Sequence, residues 1–149
     1  TPPPYAGLRT VCGRTMLRED APASGAEELS SAADVHVSIL GLLRPGATGG
    51  QIVGEAYRLA RAAGFGFSET DELGSGIGLD IRQAPYLVPG DATALTSGMA
   101  LAVRTRLKSV NLGTIHRADT VLVAEPGPDV LTARPSADSS PASYGGTTG

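Results

Sequence analysis

Tryptophan is missing altogether, and aromatic residues make up only 4% of the chain. A core of stacked rings is thereby excluded, and the interior has to be built from leucine, valine, isoleucine and alanine. Cysteine occurs once, as Cys12, so no disulfide can form within the chain and nothing points to an oxidising compartment. Lysine also occurs once, as Lys108, and every other basic side chain with a fixed charge is arginine. With the abundant alanine and glycine, that bias fits a GC-rich bacterial source. The net charge of -3 removes any general attraction to nucleic acid or to an anionic membrane. No apolar run approaches the roughly 20 residues of a membrane span, and no signal-peptide pattern is visible. The cytoplasm is the expected location. The chain opens on Thr1 instead of methionine, which suits a processed product or a fragment.

What is present fits one globular domain. The 149 residues are 41% hydrophobic, enough for a core of useful size. Residues 1–135 are expected to form the domain, and the Ser/Gly/Thr/Pro-rich residues 136–149 a disordered tail. The prolines of residues 1–4 keep that lead-in out of any central strand. Residues 5–17 suit a strand or hairpin, and residues 18–25 a polar loop. Leu29, Ala32, Ala33, His36, Ile39, Leu40 and Leu43 then recur at helical spacing and predict a helix over residues 27–43. Pro45 and Gly46 stop it. Thr48 with Gln51 three positions on forms a capping box for a second helix, whose apolar stripe is Ile52, Val53, Ala56, Leu59, Ala60 and Ala63. Gly64 ends that helix. Apolar content predicts strands over residues 99–107 and 115–123.

Between the helices and the strands lies Gly74-Ser75-Gly76-Ile77-Gly78-Leu79-Asp80-Ile81-Arg82-Gln83-Ala84-Pro85-Tyr86-Leu87. It resembles the GHGIGLDIHEAPYL segment of the M24 metallopeptidase family, which includes aminopeptidase P, prolidase and creatinase-like members. Across residues 76–87 only Arg82 and Gln83 depart from that pattern. Weaker matches keep the family's order on either side. Tyr5-Ala6-Gly7 followed by Arg14-Thr15 resembles YxGYxSDxTRT, residues 95–98 resemble LEPG, Asp119-Thr120-Val121-Leu122-Val123 resembles EDTVLV, and Asp129-Val130-Leu131-Thr132 resembles the family's closing strand. The resemblance covers residues 5–132. It implies an α/β (α+β) pita-bread fold, mainly its C-terminal half: two helices packed on a curved, mostly antiparallel sheet.

Active members of the family hold two divalent metals with two aspartates, a histidine and two glutamates, because hard cations need anionic oxygens and the metals generate the attacking hydroxide. On the register of the resemblance, Val11 stands at the second aspartate, Ser75 at the histidine, Arg104 at the first glutamate and Ala118 at the second. The first aspartate falls upstream of Tyr5, where nothing can serve. The resemblance therefore implies a domain with degenerate metal-ligand positions and no metal or other cofactor. Strand alternation sets Arg106 on the face of Arg104, and His116 on the face of Ala118. Arg82 stands where the family has a second signature histidine.

Two readings of these side chains remain open. The arginines point to solvent and the old site has drifted, or Arg82, Arg104, Arg106 and His116, beside Ser75, converge on a small anionic or peptide ligand such as a carboxylate or phosphate. On the second reading the chain is a non-catalytic binding or structural module. The alternatives are a metal-independent enzyme using His116 with Arg82 or Arg104, or an aminopeptidase P/prolidase-like metallopeptidase fragment completed by another chain. Half a pita-bread sheet leaves an open edge, so a homodimer or a partner chain supplying the other half is expected. Cys12 reads as a small buried residue, His36 as a core or interface histidine, and Asp80 as structural. Gly74, Gly76 and Gly78 serve tight backbone packing, since no lysine or helix follows to make a phosphate loop. Ser75 has no visible base partner for nucleophilic work.

Overall fold

The structure, a computed structural model, describes residues 11–67, 72–78 and 82–132. The tail expected at residues 136–149, Asp80 and the Tyr5-Ala6-Gly7 match lie outside the described residues.

Two helices come first. Helix α1 spans Ala23–Leu40, starting four residues before the expected residue 27. Pro22 precedes it, which suits proline's fixed φ and absent N–H, and the small residues of the first turn carry no apolar signal to mark the start. The helix also ends before the Pro45-Gly46 corner, in a tight turn at Gly41 that leaves Leu43 fully buried just beyond it. Ala32, Val35, His36, Ile39 and Leu40 face inward, so Val35 takes the place expected of the half-exposed Ala33. Helix α2 spans Gly49–Ala62 behind the expected capping box: Thr48 Oγ1 accepts from the Gln51 N–H, and Gln51 Oε1 from the Thr48 N–H. Gly64 follows with a φ of 86°, the left-handed geometry that favours glycine after a helix.

The strands are β1 (Gly13–Arg14), β2 (Gly74–Gly76), β3 (Gln83–Leu87), β4 (Ala100–Ser109), β5 (Gly113–Leu122) and β6 (Asp129–Val130). They form one sheet in the order β1-β5-β4-β2-β3, with β6 beside β5, and every pairing is antiparallel. The β4–β5 hairpin is its spine, paired without a break from Ala100 with Leu122 to Ser109 with Gly113. Strand β2 fits between β3 and β4 because it is nearly all glycine. A Cβ on Gly74 would overlap the Ala102 carbonyl, and one on Gly76 the Ala84 carbonyl. These glycines do the packing work expected of them.

Both helices cover one face of the sheet. Leu101, Val103 and Leu107 of β4 and Ile115 and Val121 of β5 meet Ile39, Leu43, Ile52 and Ala56 there in a single aliphatic core. Alternation sends Ala102, Arg104, Arg106, His116, Ala118 and Thr120 to the opposite face.

Candidate functional site

The face away from the helices is where the sequence placed its candidates, and the strand register decides which of them meet. Ser75 pairs with Ala102, and Ala102 with Thr120. The Val11 N–H donates to Thr120 Oγ1, which returns a hydrogen bond to the Val11 carbonyl. Val11 therefore closes the same row as Ser75. In the next row Arg104 pairs with Ala118 and Ala118 with Gly13; in the one after, Arg106 pairs with His116. Val11, Ser75, Arg104 and Ala118, scattered over more than a hundred residues of sequence, thus lie in two adjacent rows of one sheet face.

Their chemistry is not that of a cation site. Valine and alanine offer no lone pair, arginine is a cation, and Ser75 offers a neutral hydroxyl. Among the described residues no three His, Cys, Asp or Glu side chains come together as a metal ion requires. Ser75 is fully buried, and its Oγ has no hydrogen-bond partner among the described residues. Ala102, Ala118 and Thr120 on the same face are buried as well, so a ligand there would meet Arg104, Arg106 and His116 instead of Ser75.

Arg104, Arg106 and His116 do share that face. Neither arginine belongs to an ion pair among the described residues. Burial pushes the His116 pKa down from its ordinary value, and the positive charges of Arg106 and Arg104 push it further. Arg82 does not join them as a free cation. It forks onto Glu72, with Nε 2.8 Å from Oε2, and lies over the Tyr86 ring at 4.5 Å. Its charge is already met by a carboxylate, ten residues away in sequence, that the sequence reading did not pair with it.

A second constellation sits on the helix-covered face, and sequence reasoning missed most of it. His36 of α1, 1% exposed, holds Thr105 Oγ1 at 2.6 Å on Nδ1 and Asp119 Oδ2 at 2.8 Å on Nε2. Asp119 Oδ1 accepts from Arg14 at 2.6 Å and from the Thr132 hydroxyl at 2.7 Å. Burial alone pushes the Asp119 carboxyl up, but the hydrogen bonds from His36, Thr132 and Arg14, with the charge of Arg14, outweigh it and hold the pKa at about 2. The ionised carboxylate can only accept, so Nε2 of His36 carries a hydrogen. His36 is thus a satisfied core histidine. The sequence signal for its partners was present but unread: Asp119 and Thr105 are polar residues in the core phase of two apolar strands. The network ties α1, β1, β4, β5 and the segment after β6 together. Cys12 is exposed and lies on this side of β1.

The order of strands and helices, with the signature glycines squeezed into β2, invites comparison with known proteins. Residues 3–125 match the model of metallopeptidase family M24. The chain belongs to metallopeptidase family M24. The Xaa-Pro dipeptidase of Pyrococcus furiosus is 32% identical over 89 residues, which is 60% of this chain and 26% of that relative. The agropine synthesis cyclase of Rhizobium rhizogenes is 31% identical over 111 residues, 74% of this chain and 28% of that relative. Prolidase from Pyrococcus furiosus superposes with a TM-score of 0.76 at 25% identity, over 87% of this chain and 39% of that one. This M24 chain therefore spans about a quarter of the length of the curated relatives it matches. Its two helices on an open antiparallel sheet are part of the M24 pita-bread fold. Among the described residues no helix is long and apolar enough to cross a membrane.

Proposed function

We propose that this M24 domain has exchanged its metal-holding positions and serves as a non-catalytic module that binds a small anionic or peptide ligand, with no cofactor, on the sheet face away from the helices. The observation that carries this reading is the pairing of Arg104 with Ala118 and of Arg106 with His116, two rows of adjacent strands whose arginines have no ion-pair partner among the described residues. Like charges held close together favour an anion between them, and guanidinium groups grip carboxylate and phosphate in bidentate fashion. Arg104 and Arg106 take the charge of the ligand. His116 completes the site as a donor once it is protonated. Arg82 and Ser75, paired and buried respectively, have no part in it.

Calorimetric titration with a dipeptide and with inorganic phosphate tests the proposal. Heat that saturates with either ligand is expected, and Arg104→Ala should weaken that binding about tenfold or more, the loss typical of a charge-assisted hydrogen bond. No heat from the unaltered protein, or equal affinity in the variant, rules the site out.

A second reading follows from the names of the relatives. Several are dipeptidases, and this chain spans only part of their length, so a metallopeptidase assembled with another chain is the competing proposal. On that reading the ligands come from the partner, and the mixture of the two chains takes up manganese, zinc or cobalt. The module proposed here takes up none, and elemental analysis of the purified protein separates the two.

A further inference from the structure

On the opposite face of the sheet, under α1, a cleft of about 650 Å3 opens between the β1 segment and the helix. Leu17, Leu29, Leu107 and Ile115 give it apolar walls, and Arg14 and Arg117 stand together on its lining. A volume of several hundred Å3 with mostly apolar walls and a few polar groups is the usual form of a small-ligand site.

The two arginines differ in one respect. Arg14 is saturated: it donates to the carbonyls of Gly13, Ala118 and Thr132 and pairs with Asp119. Arg117 has no ion pair among the described residues, and its Nε is shut off from solvent with no acceptor. A buried N–H without a partner costs about 1–3 kcal/mol. Burial and the neighbouring charge of Arg14 also pull the Arg117 pKa down, against a smaller opposing pull from Asp119. That side chain is short of an anion, and the walls beside it are short of hydrocarbon.

We propose that this cleft binds a monocarboxylate with a hydrocarbon tail, its carboxylate on the Arg117 guanidinium and its tail against Leu29, Leu107 and Ile115. The site is distinct from Arg104 and Arg106 on the other face: Arg117 pairs in register with Thr105 and Arg14, on the helix side of the sheet, and of the three residues of that cluster only His116 also borders the cleft. A bare inorganic anion leaves the apolar walls wet, and an uncharged chain leaves the Arg117 guanidinium without a counter-charge, so both parts of the ligand are needed. Met16, 84% exposed at the mouth, has the unbranched, adaptable side chain that can close over a tail of variable shape.

Cys12 lines the same cleft, is exposed, and is the only cysteine of the chain, so its alkylation reports occupancy. The probe is octanoate, with acetate and 1-octanol as controls, and the readout is the rate of iodoacetamide labelling by mass spectrometry. Octanoate is expected to slow labelling saturably, and the two controls at the same concentration to leave the rate unchanged. Arg117→Gln should raise the half-protecting concentration about tenfold or more. Ala33→Glu places a carboxylate in the cleft from a half-exposed helix position and should abolish protection with the circular dichroism spectrum intact. No protection by octanoate overturns the proposal. So does equal protection by 1-octanol, or protection unchanged in folded Arg117→Gln or in Ala33→Glu.

Discussion

Two ionisable side chains can be followed through titration. Asp119 has an ordinary pKa of 3.8 and is held at about 2. Its carboxylate form is the one the fold favours, so its stabilisation is complete above pH 3.8 and is lost as pH falls towards 2. The difference is worth about 2 kcal/mol. Asp119→Asn is expected to flatten that acid limb of the stability curve. At neutral pH it should cost about 3–5 kcal/mol, because it leaves Arg14 without its anion. Urea unfolding from pH 2 to 7 measures both. His116 acts in the same direction, at higher pH. Its pKa lies below 6.5 in the folded protein, so the unfolded chain binds the proton more readily and folding is disfavoured as pH drops through 6.5. An anion on Arg104 and Arg106 should raise it. The C2-proton titration of His116 by NMR is expected to sit below 6.5 without phosphate and to shift upward with it; a midpoint insensitive to phosphate contradicts the proposed site.

At the scale of the elements, much was legible in local sequence. The Thr48–Gln51 capping box and the glycine after α2 are short-range devices, and both are present as read. The start of α1 was not legible, because Ala23, Ser24 and Gly25 are small residues that neither mark an apolar stripe nor forbid a helix. The closing strand shrinks to Asp129–Val130 because Leu131 and Thr132 bond back to Thr120 and Asp119 outside the regular ladder. Strand β2 makes the sharpest prediction at this scale. A Cβ on Gly76 would stand 2.8 Å from the Gln83 carbonyl as well as overlapping that of Ala84, and rigid backbone on the neighbouring strand cannot move aside. Gly76→Ala should push β3 away and cost about 1–3 kcal/mol. Gly54→Ala, on the exposed face of α2 with open space around it, should gain a few tenths to about 1 kcal/mol. Chemical denaturation of the two variants side by side checks both signs.

For the whole molecule, the sheet does not close on itself. Strands β1 and β6 end it on one side and β3 on the other among the described residues, and short or open edges invite pairing with another chain. A homodimer, or a complex with a chain supplying the other half of the pita-bread, is the proposed assembly. Sedimentation equilibrium at tens of micromolar should return twice the chain mass for the homodimer, and a plain monomer alone counts against it. The net charge of -3 gives no hint of the local cations, because Arg104, Arg106 and His116 gather on one face while acidic side chains stand elsewhere.

The sequence by itself determined the family signature, the two helices and the hairpin of long strands, because glycine spacing, caps and apolar period act over a few residues. It also indicated that Val11, Ser75, Arg104 and Ala118 belong to one constellation. Only the tertiary structure decided what each charge does. Glu72 claims Arg82, Asp119 claims His36 across 83 residues of chain, and Arg117 is left with a buried, unmet N–H. The reason is that an ion pair is set by the register of strands and the depth of burial, and neither is written in the local period of the chain.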